Sequence, residues 1–203
     1  MNKMKNKGMM GIGTLIIFIA VILVAAVAAA VLISTSGSLQ QRGLATGSQA
    51  EESVSTGAEV ISVMATDGSA NHDVEYLELF MRIQAGSEPM NLDNTVILLD
   101  TATTSQNLVY DSTASDDTST ASDTSTYIVY YVKQGPDYEA GYLSRGDVLK
   151  AKFLCNDCST GDSGGIGENQ KVRLKIVPRV GQAAIVEFTT PDVITDQRVS
   201  LWP

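Results

Sequence analysis

The sequence predicts an α+β fold in which a long hydrophobic N-terminal α-helix is followed by an all-β sandwich or barrel domain. Residues 8–41 carry no charged side chain, and residues 9–33 are apolar apart from two glycines and one threonine. From residue 59 onward, hydrophobic residues alternate with polar ones, as they do on a strand with one buried face. The change of period predicts two structurally distinct parts.

The N-terminal segment has the composition of a continuous helix. The first proline of the chain is Pro89, and the segment is rich in alanine, leucine and isoleucine, which favour helices. A helix from residue 9 to about residue 52 would be roughly 65 Å long. Small residues within it, which let helix backbones approach closely, include Gly11, Gly13, Ala25, Ala26 and Ala29.

Charge divides the chain into a basic start, an apolar segment and an acidic remainder. Lys3, Lys5 and Lys7 are the only charged residues before Arg42, and the net charge of the 203-residue chain is −9. An acidic surface repels phosphate backbones, so we expect no nucleic-acid partner. The length allows one ordinary domain with an appended segment.

The apolar segment has two general interpretations, and in both of them the acidic part of the chain is exported. A secretory signal peptide has an apolar run of roughly 7–15 residues, and this run is longer. A transmembrane anchor needs about 20 apolar residues, which the segment supplies. The lysines would then stay on the cytoplasmic side.

The remainder of the chain predicts about eight short strands separated by Gly-, Pro-, Asp- and Ser-containing turns. In the second strand, Leu77, Leu79 and Met81 should face the core, while Glu78 and Arg82 face outward. The predicted strands span residues 59–64, 74–83, 95–100, 107–111, 127–132, 148–154, 172–177 and 184–188.

The N-terminal residues resemble a known family. The junction Lys7-Gly8-Met9 is similar to a class III, prepilin-type signal, and the residues after it resemble the N-terminal signature of archaellins, the archaeal flagellins of the type IV pilin-like superfamily. Bacterial type IV pilins usually carry Glu at mature position five, where this chain has Gly13, so the archaeal branch fits better. The tail, residues 201–203, also matches archaellins. The signature residues are Gly11, Ile12, Gly13, Thr14, Leu15 and Phe18.

The resemblance implies how the chain is processed and used. A prepilin-type peptidase would cut between Gly8 and Met9, which makes residues 1–8 the signal, 9–53 the filament-core helix and 54–203 the extracellular domain. The chain would enter the membrane, meet the membrane assembly machinery, and polymerise into the helical filament of the archaeal flagellum for swimming. Ala25, Ala26 and Ala29 would lie in the filament core. The alternatives are an adhesive type IV pilin-like subunit and a membrane-anchored extracellular binding domain.

Three further patterns are candidates for a catalytic, metal-binding or modification site. We expect neither an enzyme nor a cofactor. Residues 161–165, Gly-Asp-Ser-Gly-Gly, match the nucleophile loop of trypsin-like proteases, but the only histidine, His72, lacks the flanking residues of a catalytic base. A glycine-rich turn is the preferred interpretation. Acidic residues among 112–126 and near 157–162 are interpreted as solvated, and the Ser/Thr-rich stretch 112–126 as an exposed loop that is a candidate for O-glycosylation.

Cys155 and Cys158 form a Cys-x-x-Cys pair. A structural zinc site needs four ligands, and the sequence offers no second pair. A thioredoxin-type redox motif would carry Gly-Pro between the cysteines. Because the domain is expected outside the cell, a local disulfide that closes this turn is the interpretation we adopt.

Overall fold

A computed structural model describes residues 5–66, 73–113, 123–155 and 164–203, with side chains described from residue 11 onward. The chain divides into two compact units between Ala50 and Glu51. The described residues form one long helix, α1 (Lys5–Ser55), one short 3-10 helix, Leu92–Asn94, and the following strands. These are β1 (Ala58–Thr66), β2 (Tyr76–Ile83), β3 (Met90–Asn91), β4 (Val96–Asp100), β5 (Ser105–Tyr110), β6 (Thr126–Lys133), β7 (Tyr142–Leu143), β8 (Val148–Leu154), β9 (Lys171–Val177), β10 (Ala184–Thr189) and β11 (Arg198–Trp202).

Helix α1 is continuous over 51 residues, or roughly 75 Å at 1.5 Å per residue. It ends at Ser55, three residues beyond the predicted end, because the amide of Thr56 still donates to the carbonyl of Glu52 at 3.0 Å. Gly57 then begins the extended chain that leads into β1. The helix also begins at Lys5, four residues before the predicted start at residue 9.

Nine strands join in one sheet, in the order β10-β9-β4-β5-β6-β8-β2-β1-β11, and β3 pairs with β7 separately. All neighbours in the large sheet are antiparallel except β5 and β6. A bridge between Gly57 and Gln182 brings the chain before β1 to the chain before β10. The sheet therefore curls back on itself, and the predicted fold class, a long helix followed by a β-rich domain, is confirmed.

All eight predicted strands are present, with ends shifted by a few residues at most. Three strands were not predicted. β3 and β7 are two residues long and hold no alternating pattern that could be recognised. β11 occupies the C-terminal residues, whose partly exposed side chains gave no clear period, yet it pairs with β1 along the edge of the sheet.

The buried apolar residues of the sheet form a single core cluster, and the predicted alternation places residues there. On β2, Leu77, Leu79 and Met81 are fully buried while Arg82 is exposed. The hydroxyl of Tyr127, fully buried on β6, lies 3.2 Å from the carbonyl of Leu92 and 3.1 Å from that of Thr95. This shared hydrogen bond attaches the 3-10 helix to the sheet. Glu78 departs from the expected pattern because it is buried despite pointing away from Leu77 and Leu79.

Candidate assembly surface

Helix α1 exposes an apolar surface around its whole circumference. Every described side chain from residue 11 to Ser55 is exposed within the single chain. A helix that is hydrophobic on all sides is stable only when lipid or other protein surrounds it. The exposed large apolar side chains of α1 are Ile12, Leu15, Ile16, Ile17, Phe18, Ile19, Val21, Ile22, Leu23, Val24, Val27, Val31, Leu32, Ile33, Leu39, Leu44 and Val54.

Five glycines of α1 have no close neighbour outside their own helix in the described part of the single chain. A Cβ atom added at Gly11, Gly13, Gly37, Gly43 or Gly47 would meet nothing within 4 Å. Glycine in a helix interior costs about 1 kcal/mol relative to alanine, and no internal contact compensates this cost. Glycines of this kind are typical of helices whose backbones approach other helices closely.

The hydroxyl side chains of α1 bond to its own backbone. Thr14 donates to the carbonyl of Gly11 at 2.9 Å, and Thr35 donates to that of Val31 at 2.7 Å. Thr46 and Ser48 form the same kind of bond with Arg42 and Ala45. Each of these hydroxyls already donates a hydrogen bond to a carbonyl of the same helix. Moving them into a water-free environment therefore costs little free energy.

Length and composition allow α1 to cross a membrane, with Gly11–Ser55 as the candidate span. The apolar stretch, residues 9–33, is about 38 Å long as a helix, which is enough to cross the roughly 30 Å hydrocarbon core of a bilayer. The uncharged but polar residues 34–41 continue the helix beyond it.

The structure places all the predicted filament-core residues on α1. These residues, exposed to whatever surrounds the helix, are Gly11, Ile12, Gly13, Thr14, Leu15, Phe18, Ala25, Ala26 and Ala29. The helix also runs without a break through Gly8 and Met9, the predicted cleavage junction. Their assignment as a cleavage site remains a prediction.

The predicted cysteine turn is described only in part. Cys155 follows β8, is fully buried, and is bonded in a disulfide. Its amide donates to the carbonyl of Glu75 at 2.7 Å, which fixes the start of the turn. Cys158 lies outside the described residues, so the pairing of Cys155 with Cys158 remains a prediction.

Most of the protease-like motif also lies outside the described residues, as do His72 and residues 114–122. The described part of the motif behaves as a turn. The amide of Gly165 donates to the Asp73 carboxylate at 3.1 Å, and Ile166 bridges to Val74. A Cβ atom at Gly165 would lie 2.8 Å from the carbonyl oxygen of Val74, so this close approach of two backbones requires glycine.

Comparisons with known proteins agree with this two-part architecture. Residues 8–188 match the family model of archaeal-type flagellin. The chain is 35% identical to flagellin B1 of Methanocaldococcus jannaschii, over 97% of this chain and 95% of that protein. It is 34% identical to flagellin A1 of Haloferax volcanii, over 92% and 91% of the two chains.

Two solved structures share the fold. The crystal structure of an archaeal flagellin from Methanocaldococcus jannaschii has a TM-score of 0.61 at 21% identity and covers 72% of this chain and 97% of that one. The archaeal flagellum of Methanospirillum hungatei has a TM-score of 0.67 at 15% identity, with 95% and 99% covered. An apolar N-terminal helix joined to a β-rich domain thus defines the class of protein. The chain belongs to the archaeal-type flagellin family, and the predicted resemblance is confirmed.

Proposed function

We propose that this chain is the structural subunit of an archaeal flagellum, the archaellum, and that it polymerises through α1 into the helical filament used for swimming. The observation that carries the proposal is the fully exposed apolar helix, whose five open glycines have no contact inside the chain. Membership of the flagellin family gives that surface a partner, namely further copies of the same helix.

Packing between copies explains features that a lipid anchor does not require. Lipid contacts any apolar side chain equally well, so an anchor gains nothing from glycines. Close packing of helices does gain from them.

The route to the filament follows from the N-terminus. The chain is inserted in the membrane with its lysines on the cytoplasmic side, cut by a prepilin-type peptidase between Gly8 and Met9, and transferred by the membrane assembly machinery into the growing filament. The β-rich domain then forms the extracellular surface. The role is structural and involves no catalysis.

The test is to image material sheared from cells that produce the chain. We expect helical filaments whose core is a bundle of copies of α1, and we expect loss of swimming when the chain is deleted. A chain that stays entirely in the membrane fraction would instead support an anchored binding domain. Filaments whose loss abolishes attachment while swimming persists would support an adhesive pilus.

A further inference from the structure

One end of the β-rich domain carries a charged row that the strand register builds. Glu59 on β1 pairs with Arg82 on β2, Arg82 pairs with Val148 on β8, and Val148 pairs with Lys133 on β6. The row borders an open groove of about 520 Å³, which Arg145 and Asp147 also line. We call this feature the cationic groove.

Two cations of the groove form no ion pair with any of the described residues. Arg82 pairs with Glu59 at 3.0 Å, so these two charges offset each other. The Asp147 carboxylate is buried, and its two oxygens accept backbone amides, from Gly135 at 2.6 Å and from Ser144 at 3.0 Å. Lys133 and Arg145 are exposed, and neither forms an ion pair within the part of the chain that the structure describes.

Lys133 ends β6, and the chain that follows it packs closely against the turn that carries Arg145. A Cβ atom at Gly135 would lie 2.4 Å from the carbonyl oxygen of Arg145. Gly146 has φ of +89°, and the amide of Asp147 donates to the carbonyl of Ser144 at 3.1 Å, which closes a tight turn with Arg145 near its apex. Asp147 joins both loops through its carboxylate. The cations are therefore positioned before any partner arrives, which lowers the entropy lost on binding.

The complementary charge lies at the end of α1. Glu51 and Glu52 are adjacent, exposed, and without an ion pair in the described residues. Carboxylates near a helix C-terminus are unfavourable because the helix macrodipole is negative there, and the last turn of α1 holds no basic residue. This pair destabilises an isolated helix, so a cation supplied by another molecule would relieve the repulsion.

We propose that the cationic groove of one subunit binds the Glu51-Glu52 pair of a second copy in the filament. The inference rests on the proposed filament function. In a helical polymer every copy presents the same two surfaces, and a head-to-tail contact requires them to lie at similar distances from the filament axis. Glu52 and Glu59 are seven residues apart along the chain, and Glu59 borders the groove, so the two surfaces are kept close to each other in every copy.

Charge reversal and charge exchange test the contact in cells that produce the full-length chain. Arg145→Glu should reduce the filament mass that is sheared from cells about tenfold. This is the factor by which the loss of one such contact lowers the equilibrium constant for adding a subunit. Glu51→Lys/Glu52→Lys should do the same, although lysines favour the C-terminal end of a helix. Combining Glu51→Lys/Glu52→Lys with Lys133→Glu/Arg145→Glu should restore filaments.

The matched control is Lys171→Glu, which makes a charge reversal at the far end of β9, where the exposed ion pair that it breaks with Glu187 is worth at most about 1 kcal/mol. It should leave filaments intact, and circular dichroism should show the same β signal in all variants. Normal filaments in cells that produce the Arg145→Glu chain would overturn the proposal. It would also be overturned if Arg42→Glu, rather than Lys133→Glu/Arg145→Glu, restored filaments to the Glu51→Lys/Glu52→Lys chain. Absence of filaments in the unmodified chain would instead refute the proposed function itself.

Discussion

The buried carboxylate of Glu78 on β2 accepts a hydrogen bond from the guanidinium of Arg198 on β11, 120 residues further along the chain. The other carboxylate oxygen lies 3.7 Å from Nζ of Lys150 and 3.6 Å from Nζ of Lys152, both on β8. One acidic side chain thus connects three strands of the sheet, including the C-terminal edge strand. This cluster explains how a charged residue is buried outside the apolar core.

Replacing Glu78 should destabilise the β-rich domain much more than replacing Arg198. Glu78→Ala removes the carboxylate from two lysines that are mostly buried, and breaking a buried ion pair typically costs about 3–5 kcal/mol. The Arg198 side chain is 57% exposed, so Arg198→Ala should cost at most about 1 kcal/mol. Urea unfolding of the detergent-solubilised full chain, followed by circular dichroism, measures both. Equal losses of unfolding free energy in the two variants would contradict the central position of Glu78 in this cluster.

Alkaline pH should destabilise the domain through Tyr127. Burial raises the pKa of this phenol above its usual value of 10, so the unfolded chain releases the proton at lower pH than the folded chain does. Stability that is complete below about pH 10 should therefore fall as the pH rises further. Tyr127→Phe removes this pH dependence. It also costs about 1–3 kcal/mol at neutral pH, because two carbonyls lose their donor.

Thermal unfolding recorded between pH 8 and 12 checks this prediction. Tyr131 contributes in the same direction, because burial raises its pKa as well, so the Tyr127→Phe curve should be flatter rather than flat. Tyr138→Phe is the control, since Tyr138 is 40% exposed. The same slope in the Tyr127→Phe variant and in the unmodified chain would show that Tyr127 does not control alkaline stability.

The N-terminus of the assembled protein should be Met9. Lys7-Gly8 is the basic and small pair directly before the apolar run, and removal of eight residues leaves a mature chain of 195 residues (203 minus 8). Mass spectrometry of sheared filaments measures the mature mass directly. A chain that begins near residue 34 would identify an ordinary secretory signal peptide, and the helix would then be absent from the filament.

Cys155 and Cys158 should both be oxidised in the exported protein. Alkylation without reductant, followed by peptide mapping, should find no free thiol at either position. A loop this small removes little entropy from the unfolded chain, so Cys158→Ser should lower the unfolding free energy by less than the roughly 3 kcal/mol typical of a 15-residue loop. Labelling of both thiols, or stoichiometric zinc, would reject the disulfide.

A charge in the packed part of α1 should stop polymerisation without unfolding the β-rich domain. Ala29→Glu would place an unpaired carboxylate between helices, where its burial costs several kcal/mol in every subunit. Cells should then hold the chain in the membrane, show no filaments by microscopy, and fail to swim. Ala102→Glu, the same substitution in an exposed bend before β5, is the control and should leave filaments intact. Normal swimming by the Ala29→Glu strain would contradict packing at this position.

The extent of α1 and the core faces of the strands were predictable because each depends on a local pattern. An uninterrupted apolar run without proline predicted α1 to within three residues at its C-terminal end. On β2, alternation of Leu79 and Met81 with Arg82 predicted the buried face. A period of 2.0 or 3.6 is visible in sequence because it reflects the geometry of a single element.

Strand order could not be predicted in this way. The parallel pairing of β5 with β6 and the edge position of β11 depend on contacts between residues far apart in the chain. For the same reason the sequence assigned Glu78 to the solvent and gave Lys133 and Arg145 no role. Whether a charge is buried or exposed depends on the neighbours that the register supplies.

By itself the sequence determined that the chain has an apolar helix unsuited to water, an acidic β-rich domain, and the signature of an archaeal flagellin. Apolar composition and helical propensity act along a continuous stretch of chain, so no folding was needed to recognise them. Only the tertiary structure decided which charges of the β-rich domain are neutralised and which remain available to a second subunit. Glu59 and Arg82 form an ion pair across two strands, whereas Lys133 and Arg145 form no ion pair with a described carboxylate. That difference arises because electrostatic interaction depends on distance in space rather than on separation along the chain.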